Sequence, residues 1–171
     1  MEESFDLGIR FGILKDNRMV ARKLAKNHRV SCASSEYLKK ISAPSKPEDL
    51  KGHRCITMIR QGERFTEWYF NIKGNKQTIH VNSALSSNDG AQIRQWALAG
   101  YGIALKSIWD IKSDLESKKL VTLLDKYTQD FESDGTDGGA DLNVVYFSRD
   151  YLPERTRSFI ELLLDHFSDW E

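Results

Sequence analysis

Residues 86–105 read S-S-N-D-G-A-Q-I-R-Q-W-A-L-A-G-Y-G-I-A-L, and this stretch predicts a loop, a helix, a tight turn and a strand. The four residues 86–89 carry side-chain oxygen atoms that can cap a helix N-terminus. Gly100 falls where a helix C-terminus favours a left-handed residue. The apolar run 103–105 is typical of a strand covered on both faces, and Gly102 allows it to begin close against the helix. The helix has one apolar face, formed by Ile93, Trp96, Ala97 and Gly100.

The start of this helix is a candidate anion site. A helix start leaves backbone N–H groups unpaired and carries the positive end of the helix dipole. It can therefore hold the carboxylate or phosphate of a small ligand. An ordinary capped helix in an α/β domain explains the same residues. Asp89 favours this second interpretation, because its own carboxylate would compete with an anionic ligand.

Composition limits the class of protein. The chain has 171 residues, which fits one domain or two small lobes. With 40% hydrophobic and 29% charged residues it predicts a packed core rather than disorder. Lys+Arg and Asp+Glu both number 25, so the broad basic surface of a stand-alone nucleic-acid-binding protein is absent. No apolar run has the length of a membrane span or the pattern of a signal peptide, so the expected compartment is the cytoplasm.

The sequence shows no pattern that is typical of metal or cofactor binding. Cys32 and Cys55 are far apart, and we interpret them as buried free thiols. The four histidines lack metal-ligand spacing. A dinucleotide fingerprint and a Walker A loop are also absent. The sequence thus predicts neither a cofactor nor a metal site.

The order of the predicted elements sets the fold class. Strands alternate with helices through most of the chain, which predicts an α/β fold with a largely parallel sheet. Ligands of such sheets bind at the carboxyl ends of strands, and the loop 86–89 is such an end. The predicted strands are 5–12, 29–34, 54–59, 67–72, 77–81, 103–105, 119–124 and 142–148, and the predicted helices are 34–40, 47–50 (a single turn), 90–100, 108–117 and one from Pro153.

Nine short segments, taken together, resemble one known family. In order they are D-L-G-I-R-F-G (6–12), V-A-R-K-L (20–24), R-V-S-C-A-S (29–34), Y-L (37–38), P-E-D-L (47–50), H-R-C (53–55), W-Y-F (68–70), S-N-D-G (87–90) and A-L-A-G-Y-G-I-A (97–104). Each motif is weak alone, but their order and spacing resemble the LysR-type transcriptional regulators. The similar branch carries D-L-G-I-R and N-D-G in its effector domain.

The resemblance implies a type II periplasmic-binding-protein-like fold, in which two α/β lobes with mostly parallel sheets are joined by crossing strands. It implies that a small molecule binds in the cleft between the lobes and that the protein forms a dimer or tetramer. DNA is bound in this family by an N-terminal winged helix-turn-helix. The implied organisation is a remnant of lobe I at 1–28, lobe II with crossing strands at 29–147, and a C-terminal helix returning to lobe I at 148–171. Residues 29–33 and 142–147 would be the crossing strands.

The sequence departs from the family pattern at its N-terminal side. It contains no winged helix-turn-helix, no linker helix and none of the first elements of lobe I. An acidic, glycine-rich loop at 132–141 precedes the last crossing strand. We therefore expect an N-terminally truncated effector domain that does not bind operator DNA by itself. We also expect exposed apolar residues in its incomplete first lobe, namely Phe5, Leu7, Ile9, Phe159 and Phe167.

By analogy with the family, eight residues are candidate effector contacts. Arg10 can pair with a carboxylate through both arms of its guanidinium, or form an internal ion pair. Gly102 and Phe147 line the cleft by analogy, although packing explains both residues as well. The complete predicted set is Arg10, Gly12, Cys32, Ala33, Asn88, Asp89, Gly102 and Phe147.

Three functional hypotheses follow. The leading one is the effector-binding domain of a LysR-type bacterial regulator that senses a small, anionic metabolite. The alternative is a truncated binding module that pairs with full-length regulators. An enzyme on the same fold is disfavoured, because no nucleophile stands beside an evident base and no paired carboxylates occur, so we predict no catalytic residue.

Overall fold

The computed structural model of this chain describes residues 5–12, 18–60, 62–127, 129–130, 141–147 and 152–168. Contacts divide the chain into two units. Unit 1 comprises Met1–Asn27 with Thr136–Glu171, and unit 2 comprises His28–Gly135. The predicted loop 132–141 lies outside the described residues except for Asp141.

The described residues form twelve strands, four α-helices and one 3₁₀ helix. The strands are β1 (Gly8–Phe11), β2 (Met19–Ala25), β3 (Arg29–Ser34), β4 (Cys55–Arg60), β5 (Glu63–Arg64), β6 (Glu67–Ile72), β7 (Asn75–His80), β8 (Ser83–Ser87), β9 (Ile103–Ser107), β10 (Leu120–Leu123), β11 (Gln129–Asp130) and β12 (Leu142–Phe147). The helices are α1 (Ser35–Lys40), α2 (Gly90–Leu98), α3 (Ile108–Glu116) and α4 (Glu154–His166), with a 3₁₀ helix at Pro47–Gly52.

Unit 1 contains an antiparallel sheet in the order β1-β12-β2, and the amphipathic helix α4. Asp141 fastens one end of this sheet, because its Oδ1 accepts a hydrogen bond from Asn27 N at 2.9 Å and its backbone oxygen accepts one from Gly12 N at 3.0 Å. The amide of Asn143 donates to the backbone oxygens of Gly12 and Asp141, both at 3.0 Å. The family resemblance groups strand 142–147 with 29–141 as lobe II, whereas the strands that pair with it lie in unit 1.

Unit 1 also exposes apolar side chains. Of the five residues expected to be exposed, Phe5, Ile9 and Phe159 are exposed, whereas Leu7 and Phe167 are half-buried.

Unit 2 is built on a mixed sheet in the order β10-β3-β9-β4-β5, with β8 also pairing with β4. Among the described strands, only the pairs β4–β8 and β4–β9 are parallel. The α/β fold is as predicted, but the expectation of mostly parallel sheets is wrong. The reason is that β3 enters the sheet antiparallel to both β9 and β10, so the strands at this side run in alternating directions.

A second, three-stranded antiparallel sheet, β11-β6-β7, completes unit 2. The predicted hairpin is confirmed, with its turn at Lys73 and Gly74, where φ is +53° and +80°. The turn is shorter than expected, because Asn75 and Lys76 already belong to β7.

The core of unit 2 has two layers, one on each face of the mixed sheet. Neighbouring strand residues point to opposite faces. Thus Cys32 and Ile56 pack with α2 and α3, whereas Ala33 and Cys55 pack on the side of the second sheet. Trp68, Tyr37 and Phe70 are the largest side chains buried in that second layer.

Residues 90–105 form the predicted helix, turn and strand. Helix α2 buries Ile93 and Ala97 and ends before Gly100, whose φ of +77° fits the left-handed position. Gly102 has a different role from the one expected. A Cβ at this position would collide with the backbone oxygen of Arg54, so the close approach is to the chain before β4, not to the helix.

Candidate ligand-binding site

The loop between β8 and α2 is organised by its own side chains. The Asp89 N–H donates to Ser87 Oγ at 3.0 Å, and Asp89 Oδ1 accepts from Ala91 N at 2.8 Å. Asp89 is therefore the N-cap residue of α2, as the capping interpretation predicts. Asn88, which lies between Ser87 and Asp89, is exposed.

Strand register brings a second helix start to the same edge of the sheet. Cys55 of β4 aligns with Ser83 of β8 and with Ile103 of β9, and both pairs are parallel. The carboxyl ends of β8 and β9, at Ser87 and Ser107, consequently lie at one edge. Ser107 Oγ caps α3 by accepting from Trp109 N at 3.2 Å. Two helix N-termini thus begin at this edge, which we call the carboxyl edge.

A buried lysine joins the two helix starts. Lys106 Nζ donates to Gly90 O at 3.0 Å and lies 2.9 Å from Asp110 Oδ2 in the first turn of α3. The Lys106 side chain is only 6% exposed, so its charge must be balanced by these oxygen atoms. Lys106 therefore fixes the first turn of α2 relative to β9 and α3.

The carboxyl edge also borders a cavity of about 410 Å³ in unit 2. Arg29 lies at this edge because it pairs with Ser107 across β3 and β9. Thr122, also in the lining, donates to Asp125 Oδ2 at 2.7 Å. The polar lining residues are His28, Arg29, Thr122, Asp125 and Tyr127.

The two cysteines are free and buried, as predicted. Burial raises the pKa of the Cys55 thiol to about 12. Burial also raises the pKa of Cys32 to about 12, and the nearby positive charge of Lys106 offsets only part of this effect. Both thiols are therefore protonated at neutral pH and are poor nucleophiles.

In unit 2 the structure places the predicted contacts at three separate positions. Asn88 and Asp89 lie at the carboxyl edge. Cys32 and Ala33 are fully buried in β3. Gly102 precedes β9 and lies at the other end of that strand, roughly 16 Å from Ser107 at ~3.3 Å per residue. Ligand contact by these residues stays a prediction, and Asn88 and Asp89 have the most accessible position.

In unit 1 the predicted contacts also lie apart. Gly12 follows β1 beside Asp141, whereas Phe147 is exposed at the far end of β12. Arg10 is exposed, and its Nε donates to Phe11 O at 3.4 Å. No internal ion pair of Arg10 occurs within the described ranges, so that alternative finds no support there.

Sequence reasoning missed Lys106 and Ser107. A signal was present, since Lys106 and Asp110 are four residues apart and Ser107 directly precedes an apolar helical pattern. Lysine at the end of an apolar strand was passed over because lysines are usually solvated.

Two absences apply to the part of the chain that the structure describes. There, no group of three or more His, Cys, Asp or Glu residues could hold a metal ion. None of the described helices has the length and hydrophobicity needed to cross a membrane.

Comparison with known proteins places this geometry in context. The profile of the family described as "LysR substrate binding domain" matches residues 1–168. The HTH-type transcriptional regulator DmlR of Escherichia coli K12 is 34% identical over 169 residues, or 99% of this chain and 52% of DmlR. The HTH-type transcriptional regulator CrgA of Neisseria meningitidis serogroup C is 30% identical, over 99% of this chain and 54% of CrgA. The chain thus spans about half the length of the curated relatives it matches.

Solved structures agree with these matches. The regulatory domain of CrgA from Neisseria meningitidis superposes with a TM-score of 0.74 at 28% identity, covering 95% of this chain and 75% of that one. The full-length virulence activator AphB of Vibrio cholerae gives a TM-score of 0.78 over 95% of this chain and 52% of AphB. Its 21% identity supports the fold alone.

Fold and site together define an effector-binding α/β domain of the periplasmic-binding-protein type. Mixed sheets with helices that begin at the carboxyl ends of strands fit that class. The chain belongs to the LysR substrate-binding domain family, whose matched relatives are HTH-type transcriptional regulators.

Proposed function

We propose that this chain is the sensing part of a bacterial transcriptional regulator and that its effector is a small anionic metabolite. The observation that carries the proposal is the carboxyl edge, where the starts of α2 and α3 meet around Lys106. Backbone N–H groups and dipoles at these starts favour negative charge on a ligand. Asp89 occupies part of the α2 start, so the ligand would contact Asn88 and Ser107 beside it.

The test is a thermal-shift screen of short-chain hydroxy- and dicarboxylic acids, followed by calorimetry. We expect at least one acid to bind. We expect Asn88→Ala to weaken the affinity for this acid about tenfold, which corresponds to ~1.4 kcal/mol of binding free energy. Gln95→Ala, on an exposed part of the same helix, is the control and should leave affinity unchanged. Failure of every acid to bind, or an equal effect of both substitutions, would refute the proposal.

The remaining properties of a regulator belong to the whole protein. We infer that it acts in the cytoplasm, self-associates as a dimer or tetramer, and contacts DNA through a helix-turn-helix outside this chain. The family match and the HTH-type transcriptional regulators among the relatives support the inference of DNA binding. We propose neither a membrane partner nor a cofactor for this protein.

A second candidate is a module that pairs with full-length regulators. Phe5, Phe11, Phe159 and Leu162 of unit 1 are exposed, and such apolar surface favours association. Co-expression with full-length DmlR tests this candidate. Co-purification that Leu162→Ser abolishes and Glu161→Ser preserves would favour it, whereas no co-purification would exclude pairing with that regulator.

A further inference from the structure

A basic pocket lies in unit 2 at the start of β8, away from the carboxyl edge. The pocket has a volume of about 430 Å³. Its lining includes the charged or protonatable side chains of Lys51, Arg64 and His80. β8 runs from this pocket to the Ser87 loop, so roughly 13 Å of strand separates the two places at ~3.3 Å per residue.

Backbone hydrogen bonds make the frame of this pocket rigid. Val81 N donates to Thr66 O at 2.9 Å, and Cys55 N donates to Asn82 O at 2.9 Å. Ser83 Oγ lies 2.6 Å from Thr57 Oγ1, which fixes the start of β8 against β4. The three basic side chains therefore project from elements whose backbones are held in place.

The charges of the pocket lack internal compensation. Within the residues that the structure describes, Lys51, Arg64 and His80 have no side-chain hydrogen bond or ion pair, and no Asp or Glu lines the pocket. Glu67 lies opposite His80 in the β6–β7 register, where it accepts a hydrogen bond from the Tyr69 hydroxyl at 3.2 Å, and it is not a lining residue of the pocket. All three basic side chains are exposed, so an anion can reach them directly from solvent.

We propose that this pocket binds the phosphate group of a small phosphorylated metabolite. Two cationic side chains and an imidazole around one pocket suit a multiply charged anion better than a single carboxylate. The Arg64 guanidinium can donate to two phosphate oxygens at once, and Lys51 adds a point charge. The side chains of Thr66 and Asn82 supply neutral donors in the same lining. This site is distinct from the proposed effector contact at Asn88 and does not depend on it.

The test uses the 171-residue chain and inorganic pyrophosphate as the probe, in calorimetry at constant ionic strength. We expect saturable binding that Arg64→Gln weakens about tenfold, corresponding to ~1.4 kcal/mol. Lys112→Gln removes one exposed charge from α3 and is the control, with less than about a twofold effect. Asn88→Ala should leave pyrophosphate affinity unchanged.

Each contrary result rejects the site. Absence of saturable binding would overturn the proposal, and so would an equal loss in Arg64→Gln and Lys112→Gln, which would indicate unspecific charge. A loss in Asn88→Ala but not in Arg64→Gln would place the anion at the carboxyl edge instead. Circular dichroism of each variant confirms that it is folded.

Discussion

Arg94 of α2 and Asp114 of α3 form a bidentate ion pair, with Nε 2.5 Å from Oδ2 and Nη2 2.8 Å from Oδ1. The side chain of Asp114 is 6% exposed and that of Arg94 is 31% exposed. The hydrogen bond to Asp114 raises the pKa of Arg94, so the pair stays charged. Together with Lys106, this pair fixes the two helices that begin at the carboxyl edge.

Removing the negative charge of this pair should destabilise the fold. Asp114→Asn leaves the Arg94 guanidinium with a weaker acceptor, and we expect a loss of about 2 kcal/mol in the free energy of unfolding. Urea denaturation measures the loss. The control is Glu36→Gln, which breaks the Lys39–Glu36 pair whose side chains are 70% and 64% exposed, and it should leave the free energy of unfolding almost unchanged because solvent screens this pair. Equal losses would contradict the account.

Gly102 and Gly52 should respond oppositely to alanine. A Cβ at Gly102 meets the Arg54 backbone oxygen, so Gly102→Ala should destabilise the chain by about 1–3 kcal/mol. A Cβ at Gly52 meets nothing within 4 Å, so Gly52→Ala should be neutral or slightly stabilising. Thermal unfolding of both variants checks this, and a neutral Gly102→Ala would show that the chain before β4 can move aside.

The cysteines should be inert while the protein is folded. Cys32 and Cys55 have no exposed surface, and burial raises the pKa of each thiol to about 12. We expect no reaction with a thiol reagent such as dithionitrobenzoate at neutral pH, and two equivalents after unfolding in denaturant. Rapid labelling of either thiol in buffer would mean that unit 2 opens readily.

His53 should make stability depend on pH. Its ring lies 3.2 Å from the Tyr37 hydroxyl, measured from Nδ1, and burial lowers the pKa of His53 below its usual value. The unfolded chain therefore binds more protons, and the contribution of neutral His53 is fully present above the ordinary histidine pKa. It is lost as pH falls through the lowered pKa of the folded state.

His53→Asn keeps an amide near Tyr37 but cannot titrate. We expect its free energy of unfolding to fall less steeply between neutral and mildly acidic pH than that of the parent. Denaturant titrations over this range measure both slopes, and equal slopes would assign the pH dependence to other groups.

Local patterns predicted the elements better than their pairing. The capping loop, α2 and the Gly100 turn follow from neighbouring residues, and so does the β6–β7 hairpin. The direction of a strand does not follow from its neighbouring residues. β3 pairs with β9, which lies more than sixty residues later in the chain, and only tertiary packing decides whether the two strands run parallel.

The candidate site was predicted only in part for the same reason. Asn88 and Asp89 were found because capping is local. Lys106 has only one local signal, its spacing to Asp110, whereas its other acceptor, Gly90 O, comes from another element. The role of Gly102 was misjudged because Arg54 is distant in sequence. Contacts between distant segments carry most of the site, and a single sequence does not display them.

The central claim is that the carboxyl edge binds the anionic effector, and hydrogen exchange with a bound acid from the screen tests it most directly. We expect the bound acid to slow hydrogen exchange in residues 87–91 and 106–110, which contain both helix starts. We expect no slowing of exchange in Lys106→Met, because Gly90 O and Asp110 lose their shared partner in that variant. Protection confined to other segments, with 87–91 and 106–110 unchanged in the parent, would contradict the claim.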